Sequence, residues 1–161
     1  MKIILAADHA GFALKEAVKK ELEGQGHEIL DVGAHEFITG DDYPVYMTAA
    51  AMKVAEDLNG QTKAILFGGS GQGEAMVANR FPGVRTVVWY GQGHLTESTD
   101  SNQGDDIIRL SREHNDANVL SIGARFVNEQ QAKEAIQTWL KTDFSGQEKH
   151  KRRIELIDSI E

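Results

Sequence analysis

The stretch Gly68-Gly-Ser-Gly-Gln-Gly73, followed at once by Glu74, is the densest concentration of chemical potential in the chain. A loop of this kind exposes many backbone N–H groups. Where it feeds a helix, those groups can stabilise an oxyanion or a phosphate. A carboxylate beside such donors is what proton abstraction next to a carbonyl requires. The plainer alternative is a glycine-rich turn with an acid set favourably in the first turn of a helix. The two readings differ on Glu74, because the helix dipole lowers its pKa whereas burial raises it. The loop fits none of the common glycine motifs. Gly69-x-Gly71-x-Gly73 is not dinucleotide spacing, no Lys-Ser/Thr closes it as in a P-loop, and Gly68-Gly-Ser-Gly-Gln72 lacks the last glycine of a nucleophile elbow.

The six histidines are His9, His27, His35, His94, His114 and His150, and none falls into metal-ligand spacing. No metal site is therefore expected. His9, beside Asp8, and His114 stand at element ends among polar residues, which makes them candidates for acid–base work. His27 and His35 read as surface or structural residues. The absence of cysteine excludes disulfides, thiolate metal sites and a cysteine nucleophile. Lys149-His-Lys-Arg-Arg153 is a basic run in a chain of net charge −8, with 25 acidic residues against 17 Lys and Arg. It is either a solvated helix face or a phosphate clamp, with Arg125 as a natural partner. The net charge argues against nucleic acid and against anionic membranes, since both would be repelled.

These residues need a scaffold, and the pattern of apolar runs supplies one. Short apolar segments at Lys2–Ala7, His27–Val32, Lys63–Phe67, Val84–Trp89 and Asn118–Ile122 read as strands. Helical periodicity marks Phe12–Leu22, stopped by Gly24 and Gly26, then Val45–Leu58 with Pro44 in its first turn, and Glu74–Asn79. Ile107–Glu113, Glu129–Leu140 and about Gln147–Ile160 follow the same pattern. Strands and helices alternate, so the expected fold is a Rossmann-like, doubly wound α/β fold with a parallel five-stranded sheet. In such folds ligands bind beyond the carboxyl ends of the strands. Asp8 with His9, the glycine loop, and Gly123–Arg125 all fall there.

At 161 residues the expectation is a single domain over residues 1–161. The longest apolar stretches, Ile3–Ala7 and Ala64–Phe67, are too short to span a bilayer. No signal-peptide pattern follows Met1, so a cytoplasmic protein is expected. Gly91–Asp106 is polar and, at 16 residues, longer than usual connections; it is either a functional lid or a mobile insertion. Ile154, Leu156, Ile157 and Ile160 form an apolar stripe on the last helix. That stripe packs on a second subunit, giving a homodimer or larger, or else folds back on its own domain.

Taken together, Asp8-His-Ala-Gly11, Asp42-Tyr-Pro44, Gly68 to Asn79, Arg112-Glu-His-Asn115, Asn118 to Arg125 and His150-Lys-Arg-Arg153 resemble the ribose-5-phosphate isomerase B family of sugar-phosphate isomerases, in order and over essentially the whole chain. The resemblance implies an aldose–ketose isomerase acting on a sugar phosphate, with no metal or organic cofactor, as a homodimer or homotetramer with the site built across subunits. Many members use a cysteine base at the position of Gly68; this chain resembles the subgroup with a glutamate base instead. By that resemblance Glu74 is the base and His114 opens the sugar ring. Asp8, His9, Tyr43, Gly69, Ser70, Gly71, Gln72, Gly73 and Asn115 then bind the sugar, while Arg125, Lys149 and Arg153 hold the phosphate. Lys149 stands where an arginine is frequent, and the 91–106 segment is longer than the family pattern. The implied substrates are ribose 5-phosphate and ribulose 5-phosphate, with a tetrose or hexose 6-phosphate as rivals. A non-catalytic sugar-phosphate or nucleotide sensor is a rival of another class, and a serine hydrolase using Ser70 and His114 a more distant one.

Overall fold

The computed structural model describes residues 1–57, 59–91 and 106–160. Five strands, β1 (Lys2–Ala7), β2 (Glu28–Asp31), β3 (Lys63–Gly68), β4 (Thr86–Trp89) and β5 (Val119–Gly123), form one parallel sheet in the order β2-β1-β3-β5-β4. Between and after them run α1 (Phe12–Gly24), α2 (Tyr43–Ala55), α3 (Gln72–Ala78), α4 (Ile107–Asn115), α5 (Glu129–Lys141) and α6 (Glu148–Asp158). This is the expected doubly wound α/β architecture.

The apolar runs are continuous because both faces of the sheet are covered. Side chains alternate between faces along each strand. Ile3, Leu5, Ile65, Phe67, Leu120 and Ile122 thus join Val18 and Leu22 of α1, Ile108 of α4, and Ile136 and Trp139 of α5. Ile4, Ala6, Ala64, Leu66 and Val119 join Met47, Ala50, Ala51 and Val54 of α2 on the other face. Fully burying each large side chain contributes about 1.5–3 kcal/mol, so these two layers dominate the stability. A buried Lys15 pins α1 to the end of β2 through Asp31 at 2.5 Å, with Lys19 on the same carboxylate at 2.8 Å. Burial alone would raise the Asp31 pKa. The hydrogen bonds from Lys15 and Lys19 outweigh it and hold the carboxyl below its ordinary range.

The element boundaries differ from the expected ones for local reasons. α1 runs past Leu22 and ends at Gly24, and the turn out of it is made at Gly26, whose φ of 84° is the left-handed conformation that glycine tolerates. Likewise α3 starts at Gln72 because Gly71, with φ 78°, turns the chain there, so Gly73 and Glu74 are already helical. Tyr43 opens α2 with Pro44 in the first turn. His27, Val32, Val84, Arg85 and Asn118 lie just outside the strands. The segment after Gly91 expected to be an insertion lies, with His94, outside the described residues up to Asp106.

No helix among the described residues is long and apolar enough to cross a membrane.

Candidate active site

The loops leaving β1, β2, β3 and β5 meet at the carboxyl edge of the sheet, around a cavity of about 390 Å³ walled by Asp8, Tyr43, Gly69, Ser70, Glu74 and Arg125 among others. The loop after β3 is held by its neighbour β5. Ser121 Oγ donates to the Gly71 carbonyl at 2.7 Å, Ala124 N–H to Gly68 O at 2.8 Å, and Arg125 N–H to Gly69 O at 3.2 Å. These bonds need close backbone approach: a Cβ on Gly123 would lie 2.7 Å from Ser70 O. They also bring the Arg125 guanidinium over Gly69, 3.2 Å from where a Cβ would stand. Ser70 is exposed, and its Oγ accepts from Gln72 N–H at 3.3 Å. Tyr43 brings its hydroxyl against Gly73, at 2.6 Å from a Cβ position there.

Glu74 is only 4% exposed, and its Oε2 is buried with no hydrogen-bond partner among the described residues. A Cβ built on Gly68 would overlap its carboxyl group, so this glutamate occupies the volume that a side chain at position 68 would fill. Burial pushes its pKa up and nearby Asp8 adds to the rise, against the amides of Glu74 and Gly71 and the Arg125 charge. The competition between dipole and burial left open by the sequence is decided by burial.

Asp8 is buried, its Oδ1 accepting from Ala10 and Gly11 N–H at 2.9 and 3.1 Å. His9 is tied to a residue that sequence reasoning missed. Its backbone N–H and its Nδ1 both bond Asp41 Oδ1, at 2.9 and 2.6 Å. The sequence signal for Asp41 is weak: it lies in the loop after an expected parallel strand, whose carboxyl end shares the edge where His9 sits, but its pairing with His9 shows only once β2 is seen to flank β1. Asp8, His9 and Asp41 offer one ligand atom each within 4.8 Å of one another, enough to hold a cation. A cation there would compete with the short His9–Asp41 bond and with the amide bonds to Asp8.

The remaining candidates are elsewhere. His114 and Asn115 end α4 and are exposed, just before the chain enters β5 at the opposite, amino-terminal edge. Arg85, preceding β4 at that edge, donates to the Asn115 and Asp116 carbonyls. α6 lies along the same edge, with Ser145 N–H bonded to Glu113 O and Asp158 paired with Arg85 at 3.3 Å. The His114 and His150 rings touch, with centroids 4.3 Å apart. His150 is buried with Nδ1 on Ser145 Oγ, and burial, then the neighbouring His114, push its pKa down. Lys149 and Arg153 are exposed, with no ion-pair partner among the described residues. Five residues of β5 at about 3.3 Å each put roughly 15 Å between this corner and Glu74. One chain therefore does not bring His114, Asn115, Lys149 and Arg153 to the cavity. It does not bring Ser70 to His114 either, so a Ser70–His114 pair cannot form within the chain. A wider hollow of about 810 Å³ also opens at this edge, near Lys2, Lys53 and Asp57, but it gathers none of the candidate residues.

Residues 3–157 match the Ribose/Galactose Isomerase family. The chain is 35% identical over 161 residues to ribose-5-phosphate isomerase B of Mycolicibacterium paratuberculosis, covering all of this chain and 92% of the relative. It is 35% identical to that of Escherichia coli, covering 99% and 96%. Among solved structures it resembles ribose-5-phosphate isomerase B from Mycoplasma genitalium with bound ribulose-5-phosphate, at a TM-score of 0.85 and 30% identity over 98% of this chain and 93% of the other. The Thermotoga maritima ribose 5-phosphate isomerase gives a TM-score of 0.81 at 34% identity, covering 99% and 98%.

Proposed function

The chain belongs to the Ribose/Galactose Isomerase family, and from that premise we propose that it interconverts ribose 5-phosphate and ribulose 5-phosphate, as one isomerase domain over residues 1–161. The observation that carries this reading is the Glu74 carboxyl: buried, with an unpartnered oxygen and a raised pKa, on the wall of a cavity that Gly69, Ser70 and Gly73 of the glycine loop also line. A buried carboxylate with a raised pKa is matched to taking a proton from a carbon next to a carbonyl and returning it. In the volume that a side chain at 68 would need, it fits the glutamate-base subgroup.

After ring opening, Glu74 takes the C2 proton of the open-chain aldose and delivers it to C1 through a cis-enediolate. Loop N–H groups between Gly69 and Gly73 stabilise the oxygen that becomes negative. Asp8, His9 and Tyr43 orient the sugar, and Arg125 meets the phosphate. His114 as the ring-opening group, Asn115, Lys149 and Arg153 reach the cavity from a second copy of the chain. Two features support that assembly: their separation from Glu74 within one chain, and the apolar stripe of α6, where Leu156 and Ile160 are 63% and 78% exposed. Proton shuttling of this kind requires no cofactor.

Chelator-treated protein incubated with ribose 5-phosphate should form the ketose, and Glu74→Gln should lower kcat/KM by about 10²–10⁴-fold. Near-normal turnover by that variant would remove Glu74 from its role. Tight sugar-phosphate binding with no turnover across a panel of sugars would make the protein a sensor.

A further inference from the structure

Asp41 is a buried carboxylate beside the cavity to which the isomerase reading gives no task. Its side chain is 6% exposed, and Oδ1 takes both the backbone N–H and the Nδ1 of a residue 32 positions earlier in the chain. The other oxygen, Oδ2, is buried with no hydrogen-bond partner among the described residues. Burial, which alone would raise the Asp41 pKa, is outweighed chiefly by the bonds from His9, so that it stays below the ordinary carboxylate range. An ionised carboxylate only accepts hydrogen bonds, so Nδ1 of His9 must carry a hydrogen. The Phe37 ring packs on the imidazole at 6.2 Å, nearly perpendicular. What remains is Nε2, which has no partner among the described residues, on a ring 25% exposed between the cavity-wall residues Asp8 and Ala10.

We propose that Asp41 is a positioning residue: it fixes the Nδ1–H form and the orientation of His9, so that Nε2 is the ring atom presented to the sugar phosphate. The proposal rests on the isomerase reading for the identity of the ligand. A neutral ring then accepts from a sugar hydroxyl at Nε2, and a charged ring donates to an oxyanion; in either state the same atom faces the substrate. The bond also ties the loop after β2 to the loop after β1, and so couples the shape of one cavity wall to the chemistry of its neighbour.

The test compares the full-length protein with Asp41→Asn and Asp41→Ala. Asparagine keeps the shape and can offer either an oxygen or an NH₂ to the ring, whereas alanine removes both. Ring ¹⁵N signals of His9, read without substrate, should report Nδ1–H in the unaltered protein and a mixture of ring forms in Asp41→Asn. With ribose 5-phosphate, both variants should raise KM roughly tenfold while kcat changes less than about threefold. A His9 signal that is the same in Asp41→Asn, or an unchanged KM in both variants, would overturn the assignment. Failure of the unaltered protein to turn over ribose 5-phosphate would overturn the isomerase reading alone, because the ring signals are read without substrate and still decide the role of Asp41.

Discussion

At the carboxyl edge, the glycine loop, Asp8, His9 and the Arg125 backbone are each held by a hydrogen bond to another stretch of backbone or side chain. At the amino edge, Lys149 and Arg153 project from α6 without an ion-pair partner among the described residues, beside an apolar stripe open to solvent. The first region is preorganised, with the bonds that cost entropy already made. The second is unfinished, since exposed cations next to exposed leucine and isoleucine gain most when another surface covers them. On the proposed reading the contrast teaches that one chain carries two halves of a site, set at opposite edges of its sheet.

The sharpest way to break this comparison is to mix two inactive variants. Glu74→Gln and His114→Ala, each reduced about 10²-fold or more alone, should complement when refolded together. Random pairing leaves one intact site in half of the dimers, so activity should recover to about a quarter of the unaltered level. No recovery would mean that both residues act within one chain. A smaller effect tests the preorganised half. Gly68→Ala pushes a methyl into the Glu74 carboxyl; it should cost about 1–3 kcal/mol of stability and displace the base, lowering kcat about tenfold or more with α4 and α6 unaffected.

The smallest effect concerns what preorganisation costs. Glu74 binds its proton more tightly in the folded chain than at the ordinary value of 4.5, so its ionisation opposes folding. This cost is absent below about pH 4.5, grows as pH rises, and is complete above the raised pKa. Glu74→Gln should therefore melt a few degrees higher than the unaltered protein at neutral pH. That advantage should vanish on acidification, as thermal melts across pH would show. An unchanged difference at low pH would mean that packing, not ionisation, is responsible.

Much of this was legible in the sequence, because strands buried on both faces spell out uninterrupted runs such as Ile3–Ala7 and the glycine loop declares itself. The strand order was not, since nothing local says that β5 inserts between β3 and β4. Nor was the burial of Glu74, which depends on the missing Cβ of Gly68 six positions away. The opposition of His114 to Glu74 follows from α4 running antiparallel to the strands, a fact of topology and not of motif. Asp41 was hidden because its partner is 32 residues distant.

The insertion of β5 also orders events in time. Among the described residues β4 pairs only with β5, and the glycine loop is fastened by Ser121, Ala124 and Arg125. Until those residues emerge during synthesis, β4 has no strand to join, and the loop after β3 lacks the bonds that shape it. The nascent chain can thus pair β1, β2 and β3 early, yet the loop after β3 takes its final form only when the last strand slides into the gap left for it.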